Sequence, residues 1–295
     1  MRNVSKDTIT DAFEGYFAPQ TDPRFREVML SLAKHLHAFA KDVNLTHEEW
    51  DRGIQFLEKT AQFTSKERHE FVLLSDLFGL SSLVDMINKV DGGTSSSVLG
   101  PFHVSGSPTI PFGYDLKRHY PGPVLMATGV VRSMDGTPIE GAELDIWQTA
   151  PNGLYSSQDP EQDTYSFHGI QYTDAQGRYG FTTVKPVSYE VPTDGTGGDF
   201  LRAAGRHAWR PSHLHFIAKA PGHRTLVSEV FADDDPYLDE DAVFGVRHDL
   251  LMKYDEMPAG TFPSEGYALS GQVEGPWLKV EFDLTLVPNS DSADV

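Results

Sequence analysis

The spacing of apolar residues changes near residues 91–94 (Asp-Gly-Gly-Thr), and this change limits the folds open to the chain. Before this point apolar residues recur every three or four positions, as with Phe25, Val28 and Leu32, which predicts helices. After it, short runs of alternating apolar and polar residues lie between Gly and Pro, which predicts strands. We therefore expect a helical N-terminal segment followed by a strand-rich segment.

The helical segment carries start signals. Asp22 followed by Pro23 is typical of an N-cap with proline at the first helical position. Two further starts fit a capping box, in which a Thr is followed three residues later by a Glu. These boxes are Thr46 with Glu49, and Thr64 with Glu67. We predict at least three helices between residues 22 and 90.

The second segment predicts strands at 124–132, 142–148, 226–231 and 278–286. Asp135-Gly136 is expected to form the hairpin turn between the first two, and 173–177 a second turn. Many short strands at this spacing favour a mainly β fold, an antiparallel β-sandwich. We expect an α-helical domain at 1–100 and the β-sandwich domain at 101–295.

Composition excludes several classes of protein. The formal net charge of −19 argues against nucleic acid and against an anionic membrane surface as partners. The 295 residues include no Cys, which removes any disulfide framework and fits a reducing compartment. The first residues contain no apolar signal-peptide core, and no apolar run approaches a membrane span. We expect a cytoplasmic location.

His213 and His215 form the most specific chemical motif within one strand. On a strand, residues i and i+2 face the same side, roughly 7 Å apart at Cα, so both imidazoles can reach one metal ion. Leu214, Phe216 and Ala218 would occupy the opposite, apolar face. A polar face on which two histidines alternate by chance remains the alternative. Without Cys ligands, imidazoles suit zinc, copper, iron or nickel.

Phenolate oxygens would narrow the choice of metal. Phenolate is a hard, anionic ligand, so two imidazoles with two phenolates would suit Fe(III). The chain has 11 tyrosines, and spacing alone selects none of them as ligands.

Four short sequence motifs follow one another in a specific order along the chain. They are 94–102 (TSSSVLGPF), 141–156 (GAELDIWQTAPNGLYS), 173–179 (TDAQGRY) and 205–215 (GRHAWRPSHLH). Together they resemble the intradiol ring-cleaving dioxygenases, the catechol 1,2-dioxygenase group, from about residue 22 to about residue 287. The resemblance implies non-haem Fe(III) held by Tyr155, Tyr189, His213 and His215.

The same resemblance implies separate roles for residues near the metal. Tyr189 would be the exchangeable ligand that leaves the metal and accepts a proton from the substrate. Arg210 would lie beside the bound ring, where its permanent charge stabilises developing negative charge. The alternative for Arg210 is a surface ion pair. Glu229 stands where many relatives carry Gln, which leaves its role open.

The pocket implied by the resemblance is most similar to that of hydroxyquinol 1,2-dioxygenases, which cleave benzene-1,2,4-triol with O2. Gly-Pro-Phe at 100–102 and Val-Pro-Thr-Asp-Gly at 191–195 favour this substrate. Asp76 would accept a hydrogen bond from the third hydroxyl, or else only pair within the helical block. The expected substrate-binding residues are Leu73, Asp76, Val98, Leu99, Gly100, Pro101, Phe102, Val191, Pro192, Arg210 and Val243.

The resemblance also implies a homodimer through the N-terminal helices, in which phospholipid can occupy the interface.

Two other functions remain open. One is a catechol or chlorocatechol 1,2-dioxygenase with the same iron site. The other is a non-catalytic, prealbumin-like β-sandwich binding module, which needs neither Arg210 nor the four ligands together. Metal analysis of the purified protein separates these classes.

Overall fold

A computed structural model describes residues 4–65 and 68–289 of the chain. The chain divides into two compact units, Met1–Lys59 and Thr60–Val295. Across the described ranges, no helix has both the length and the apolar character needed to cross a membrane.

The first unit is helical, as predicted. It holds α1 (Ile9–Glu14), α2 (Pro23–Asp42) and most of α3 (His47–Phe63). The predicted start of α2 is confirmed, because the Asp22 carboxylate accepts a hydrogen bond from the Phe25 N–H at 2.7 Å.

The capping box at the start of α3 is also confirmed. The Glu49 N–H donates to Thr46 Oγ1 at 3.2 Å, and the Thr46 N–H donates to Glu49 Oε2 at 2.9 Å. The other predicted box pairs Thr64 with Glu67, and Glu67 lies outside the described residues.

The described part of the second unit contains three α-helices. They are α4 (Glu70–Leu77), α5 (Leu80–Asn88) and α6 (Thr196–Ala204). Gly79, with φ of 73°, makes the left-handed turn between α4 and α5. Leu73, Leu74 and Leu77 of α4 are buried, so this helix packs by its apolar side chains.

The described part of the second unit contains thirteen strands in three sheets. They are β1 (Tyr114–Asp115), β2 (Val124–Ser133), β3 (Glu143–Trp147), β4 (His168–Tyr172), β5 (Arg178–Val184), β6 (Tyr189–Glu190), β7 (Trp209–Arg210), β8 (His213–Lys219), β9 (Leu226–Ala232), β10 (Leu251–Met252), β11 (Asp255–Met257), β12 (Trp277–Glu281) and β13 (Leu284–Leu286). A six-stranded sheet has the order β1-β5-β2-β12-β11, with β13 also pairing with β2. A five-stranded sheet has the order β10-β9-β8-β3-β4, and β6 pairs with β7.

The two larger sheets are mixed, which corrects the expectation of a purely antiparallel sandwich. Four strand pairs are parallel: β1 with β5, β12 with β2, β13 with β2, and β10 with β9. Alternation of apolar residues predicts that a segment is a strand, but it carries no information about the direction of its partner. Long connections permit parallel pairing here, since β2 and β12 are far apart in the chain.

The predicted hairpin between β2 and β3 is wrong, although the turn itself forms. The Gly136 N–H donates to the Ser133 carbonyl at 2.9 Å, so the chain does reverse there. The returning segment pairs with the end of β2 through the bridge between Arg132 and Pro138. The chain then crosses to the other sheet, where β3 pairs with β4 and β8. Turn chemistry fixes the reversal, and burial of β3 in the second sheet decides its partner.

The two larger sheets contribute to one hydrophobic core. Leu125 and Phe181 of the six-stranded sheet belong to the same buried cluster as Leu144 of β3. The predicted apolar face of β8 is confirmed, because Leu214, Phe216 and Ala218 all join this cluster. By strand alternation, His213 and His215 then face the other side of the five-stranded sheet.

Candidate metal centre and active site

The two histidines of β8 present their Nε2 atoms to each other at 3.1 Å. Both residues are buried, at 3% and 2% exposure. His213 Nδ1 lies 2.7 Å from the Pro211 carbonyl oxygen, which only accepts, so Nδ1 carries the proton. His213 Nε2 is therefore unprotonated and carries the lone pair that a metal ligand requires.

Two tyrosine hydroxyls meet the histidines at this point. The Tyr155 hydroxyl lies 2.9 Å from His215 Nε2, 3.4 Å from His213 Nε2 and 3.2 Å from the Tyr189 hydroxyl. Gly153, with φ of 79°, makes the turn that carries Tyr155 and lies against Tyr189 Cβ. Four potential ligand atoms, from residues up to 60 positions apart in the chain, thus converge in one buried place.

Arg210 lies beside this cluster and is fully enclosed. Its Nη1 is 3.4 Å from the Tyr189 hydroxyl and 3.3 Å from His213 Nε2. The guanidinium donates to Glu229 at 2.6 and 2.9 Å and to Asp241 at 3.0 and 3.3 Å. Arg210 is 2% exposed, which excludes the alternative of a surface ion pair.

Glu229 completes the charge balance next to the histidines. Ser97 Oγ donates to its Oε2 at 2.8 Å, while Oε1 lies 3.4 Å from His213 Nε2 and 3.5 Å from His215 Nδ1. Burial is the largest single influence and raises the pKa of the Glu229 carboxyl, but Arg210, His213 and the Ser97 hydrogen bond together outweigh it, and the pKa is lowered. The carboxylate is therefore the anionic partner of Arg210 at the edge of the site.

The His215 ring stacks on the side chain of Trp147. The Trp147 ring stacks on the His215 ring with centroids 4.5 Å apart and 4° between the planes. Register places Trp147 of β3 directly opposite His215 of β8. His103 packs on Trp147 and pairs with Asp145 at 2.8 Å. This stack restricts rotation of the imidazole.

Phe102 and Arg210 contact this centre, and four other predicted substrate residues lie together in a buried cluster. Leu73, Val98, Val191 and Val243 share one buried cluster. Phe102 packs on Tyr155 with ring centroids 5.2 Å apart. A Cβ on Gly100 would lie 3.7 Å from His215 Cε1, so this glycine backs directly onto a histidine.

Four other predicted residues are placed differently. Leu99 is 40% exposed and, with Pro101, lines a surface cavity of about 340 Å³. Pro192 is half-buried at the start of the turn before α6. Asp76 of α4 is buried, and its Oδ1 has no hydrogen-bond partner among the described residues. Burial is the main reason that the pKa of Asp76 is raised to about 6.

Comparison with known proteins identifies the family. The model of the family described as dioxygenase matches residues 113–284, and that described as catechol dioxygenase N terminus matches residues 22–92. The chain is also 41% identical to a 6-chlorohydroxyquinol 1,2-dioxygenase of Cupriavidus pinatubonensis, over 89% of this chain and 96% of that protein.

The chain belongs to the intradiol ring-cleavage dioxygenases.

Two further relatives agree with this assignment. A hydroxyquinol 1,2-dioxygenase of Nocardioides simplex is 40% identical over 92% of each chain. The crystal structure of a hydroxyquinol 1,2-dioxygenase from Pseudomonas putida has a TM-score of 0.84 and 41% identity, covering 96% of this chain and 99% of that one. The chain is therefore an enzyme of this family.

Intradiol dioxygenases use non-haem Fe(III), and the donors present here fit that ion. Burial is the largest cause that raises the pKa of the Tyr155 and Tyr189 hydroxyls and lowers the pKa of the His213 and His215 imidazoles. The imidazoles are therefore neutral, as ligands must be. The phenols need a strong cation to ionise, which a ferric ion provides.

The residues that hold this intradiol site in place were only partly visible in the sequence. Asp241, the second partner of Arg210, and Trp147, the ring stacked on His215, were not singled out. Trp147 stands in the segment 141–156, which resembles the family. Alternation on β3 places Asp145 and Trp147 on one face, opposite the face that carries the core residues Leu144 and Ile146. This alternation indicates that Asp145 and Trp147 lie on the same side of the sheet as the histidines.

Proposed function

We propose that the enzyme is a hydroxyquinol 1,2-dioxygenase. It cleaves benzene-1,2,4-triol between the two adjacent hydroxyls with O2 and forms 3-hydroxy-cis,cis-muconate, the enol form of maleylacetate. The observation that carries this choice of substrate is the buried Asp76 carboxyl, whose Oδ1 lacks a partner among the described residues. A polar group in that position needs a hydrogen bond, and the third hydroxyl of the triol supplies one.

Fe(III) is held by Tyr155, Tyr189, His213 and His215 in this proposal. The convergence of four buried donor atoms within 3.4 Å contacts supports the assignment. When bound, ferric iron would supply the Lewis acidity that lowers the pKa of the substrate hydroxyls and activates the ring. The protein supplies the remaining chemistry.

The two tyrosines have separate tasks. Tyr155 contacts both Nε2 atoms and remains with them as a permanent ligand. The Tyr189 oxygen lies next to Arg210, at 3.4 Å from Nη1, and accepts a proton from a substrate hydroxyl. Arg210 stabilises negative charge that develops on the substrate, since its guanidinium cannot lose its proton under these conditions.

The substrate ring is held between apolar walls. Leu73, Val98, Val191 and Val243, which share a buried cluster, enclose it, and Phe102 packs beside Tyr155. Asp76 accepts a hydrogen bond from the third hydroxyl. The full set of substrate-binding residues in this proposal is Leu73, Asp76, Val98, Leu99, Gly100, Pro101, Phe102, Val191, Pro192, Arg210 and Val243.

The substrate is tested by comparing kcat/KM for hydroxyquinol and catechol in the wild type and in Asp76→Ala. The wild type should prefer hydroxyquinol. Asp76→Ala should reduce that preference about tenfold to a hundredfold, because one hydrogen bond to a charged acceptor contributes about 1.5–3 kcal/mol. A wild type that prefers catechol would instead be a catechol 1,2-dioxygenase. An unchanged ratio in Asp76→Ala would remove Asp76 from substrate binding.

We also propose that the enzyme is a homodimer formed through its N-terminal helices. Residues 1–100 serve as helical linker and dimerisation domain, and residues 101–295 as catalytic β-sandwich. Exposed apolar side chains support a homodimer: Phe25, Val28, Leu32, Leu36 and Phe39 on α2 are all at least 45% exposed. Surfaces of this kind mark interfaces or lipid contacts. Light scattering measures the dimer, and mass spectrometry of an organic extract detects bound phospholipid.

A further inference from the structure

Glu70, the first residue of α4, is a fully buried carboxylate outside the metal centre, with 0% exposure. A buried charge requires a partner of opposite charge. Arg68 provides it, with Nε 3.0 Å and Nη2 2.9 Å from Glu70 Oε2. The pair lies on the segment that leads into α4.

The other carboxylate oxygen of Glu70 reaches a different helix. Oε1 accepts hydrogen bonds from the Gly197 N–H at 2.9 Å and from Thr196 Oγ1 at 3.3 Å, both in the first turn of α6. A carboxylate is favourable there because N–H groups point outward from a helix N-terminus. Thr196 Oγ1 also lies 2.9 Å from Thr60 Oγ1. Glu70 thus caps α6 from the start of α4.

Glycines permit this close approach. A Cβ on Gly195 would overlap Glu70 Oε1 and would come within 2.7 Å of Arg68 Nη2. A Cβ on Gly197 would lie 2.9 Å from Leu73 Cδ2. The turn before α6 therefore rests directly on α4, and side chains at these two positions would separate them.

The two elements joined by Glu70 carry substrate residues of the proposed function. Leu73 and Asp76 belong to α4, while Val191 begins the turn that leads to α6, and Leu73 and Val191 share a buried cluster. We infer that Glu70 is a positioning residue that sets the spacing between α4 and the 191–195 turn, and so the width of the substrate pocket. This inference rests on the proposed function.

Arg68 also forms a second, more exposed ion pair with Asp194. Its Nη1 donates to Asp194 Oδ2 at 2.9 Å, but the Asp194 side chain is 71% exposed. Solvent screens such a pair. The buried Glu70 contacts therefore fix the turn, and Asp194 provides a matched control.

The test compares Glu70→Gln with the wild type in the full-length, iron-loaded enzyme. Iron content and the visible absorption band should be unchanged. KM for hydroxyquinol should rise more than kcat falls, and the ratio of kcat/KM for hydroxyquinol over catechol should change about tenfold. Gly195→Ala, which displaces the same contact without removing a bond, should change the ratio in the same direction. Asp194→Asn should alter it less than about twofold.

Three results would overturn the inference. They are an unchanged ratio in folded Glu70→Gln or Gly195→Ala, a loss of the visible band in step with activity, and an equal effect of Asp194→Asn. If Glu70→Gln does not fold, Gly195→Ala alone decides. A wild type that prefers catechol refutes the proposed substrate but leaves this test intact, since the change in the ratio is measured whichever substrate is preferred.

Discussion

Replacing Asp76 with Asn should make the protein more stable at neutral pH, and the gain should disappear in acid. Burial is the largest cause that raises the pKa of Asp76 from 3.8 to about 6, and the Ser81 hydrogen bond and the charge of Arg210 offset it only in part. The folded protein therefore binds the Asp76 proton more tightly than the unfolded chain does. The stability from this group is fully present below about pH 4 and is lost as the pH rises through about 6.

The magnitude follows from the shift. Between 3.8 and about 6 the difference is about 2.2 pKa units, and each unit corresponds to about 1.36 kcal/mol, so ionised Asp76 costs about 3 kcal/mol at neutral pH. This value is an upper bound for Asp76→Asn, because the amide is also a buried polar group. At about 2–4 °C per kcal/mol, the midpoint of thermal unfolding should rise by up to about 6–12 °C.

The assay is thermal unfolding of iron-loaded wild type and Asp76→Asn at about pH 4 and about pH 7.5. Asp249→Asn is a control of opposite sign. Burial is the largest single influence and raises the pKa of Asp249, but the Ser95 hydrogen bonds and the charge of Lys89 together outweigh it and lower this pKa. The substitution should therefore destabilise at pH 7.5 and less in acid. A difference between Asp76→Asn and wild type that is independent of pH would refute the reasoning, as would a less stable Asp76→Asn at pH 7.5.

Two further predictions concern the centre itself. The iron-loaded wild type should be reddish from phenolate-to-iron charge transfer. Tyr155→Phe should lose colour and activity, whereas Tyr189→Phe should keep some iron with an altered visible band and should react much more slowly. Equal, mild effects of the two substitutions on visible spectra and turnover would contradict the assignment. A colourless wild type that carries zinc would also contradict it. Glu229→Gln should lower the free energy of unfolding by about 3 kcal/mol, because it removes a buried partner of Arg210. Glu48→Gln, which breaks a pair with side chains 73% and 77% exposed, should cost less than about 0.5 kcal/mol in the same denaturation experiment; equal losses would show that burial of the Arg210 pair has no special weight.

Local patterns predicted local structure well. Alternation around His213 and His215 placed Leu214, Phe216 and Ala218 in the core, because a strand has only two faces. The capping signals at Asp22 and Thr46 likewise depend on contacts within four residues. The two proposed ligand tyrosines can be identified only through the resemblance, since nothing near Tyr155 or Tyr189 in the chain distinguishes them from other tyrosines.

Contacts between distant segments were the part that the sequence did not predict. Parallel pairing of β2 with β12 and β13, and the failure of β2 to pair with β3, depend on how whole sheets pack. The pairing of Arg210 with Asp241 likewise joins β7 to a segment 31 residues further along the chain. The sequence does not distinguish Glu70, because a Glu at the start of a helix is common and only its burial sets it apart.

The position of β2 in its sheet has a consequence for synthesis of the protein. Leu125 pairs with Leu278, and Val131 pairs with Leu284. About 150 residues must therefore be added before one side of β2 meets its partners, which takes roughly 8–30 s at about 5–20 residues per second. Throughout that interval this side of β2 exposes unpaired N–H and C=O groups that can recruit another nascent chain. The last strands of the sheet thus leave the ribosome after the four proposed iron ligands have emerged.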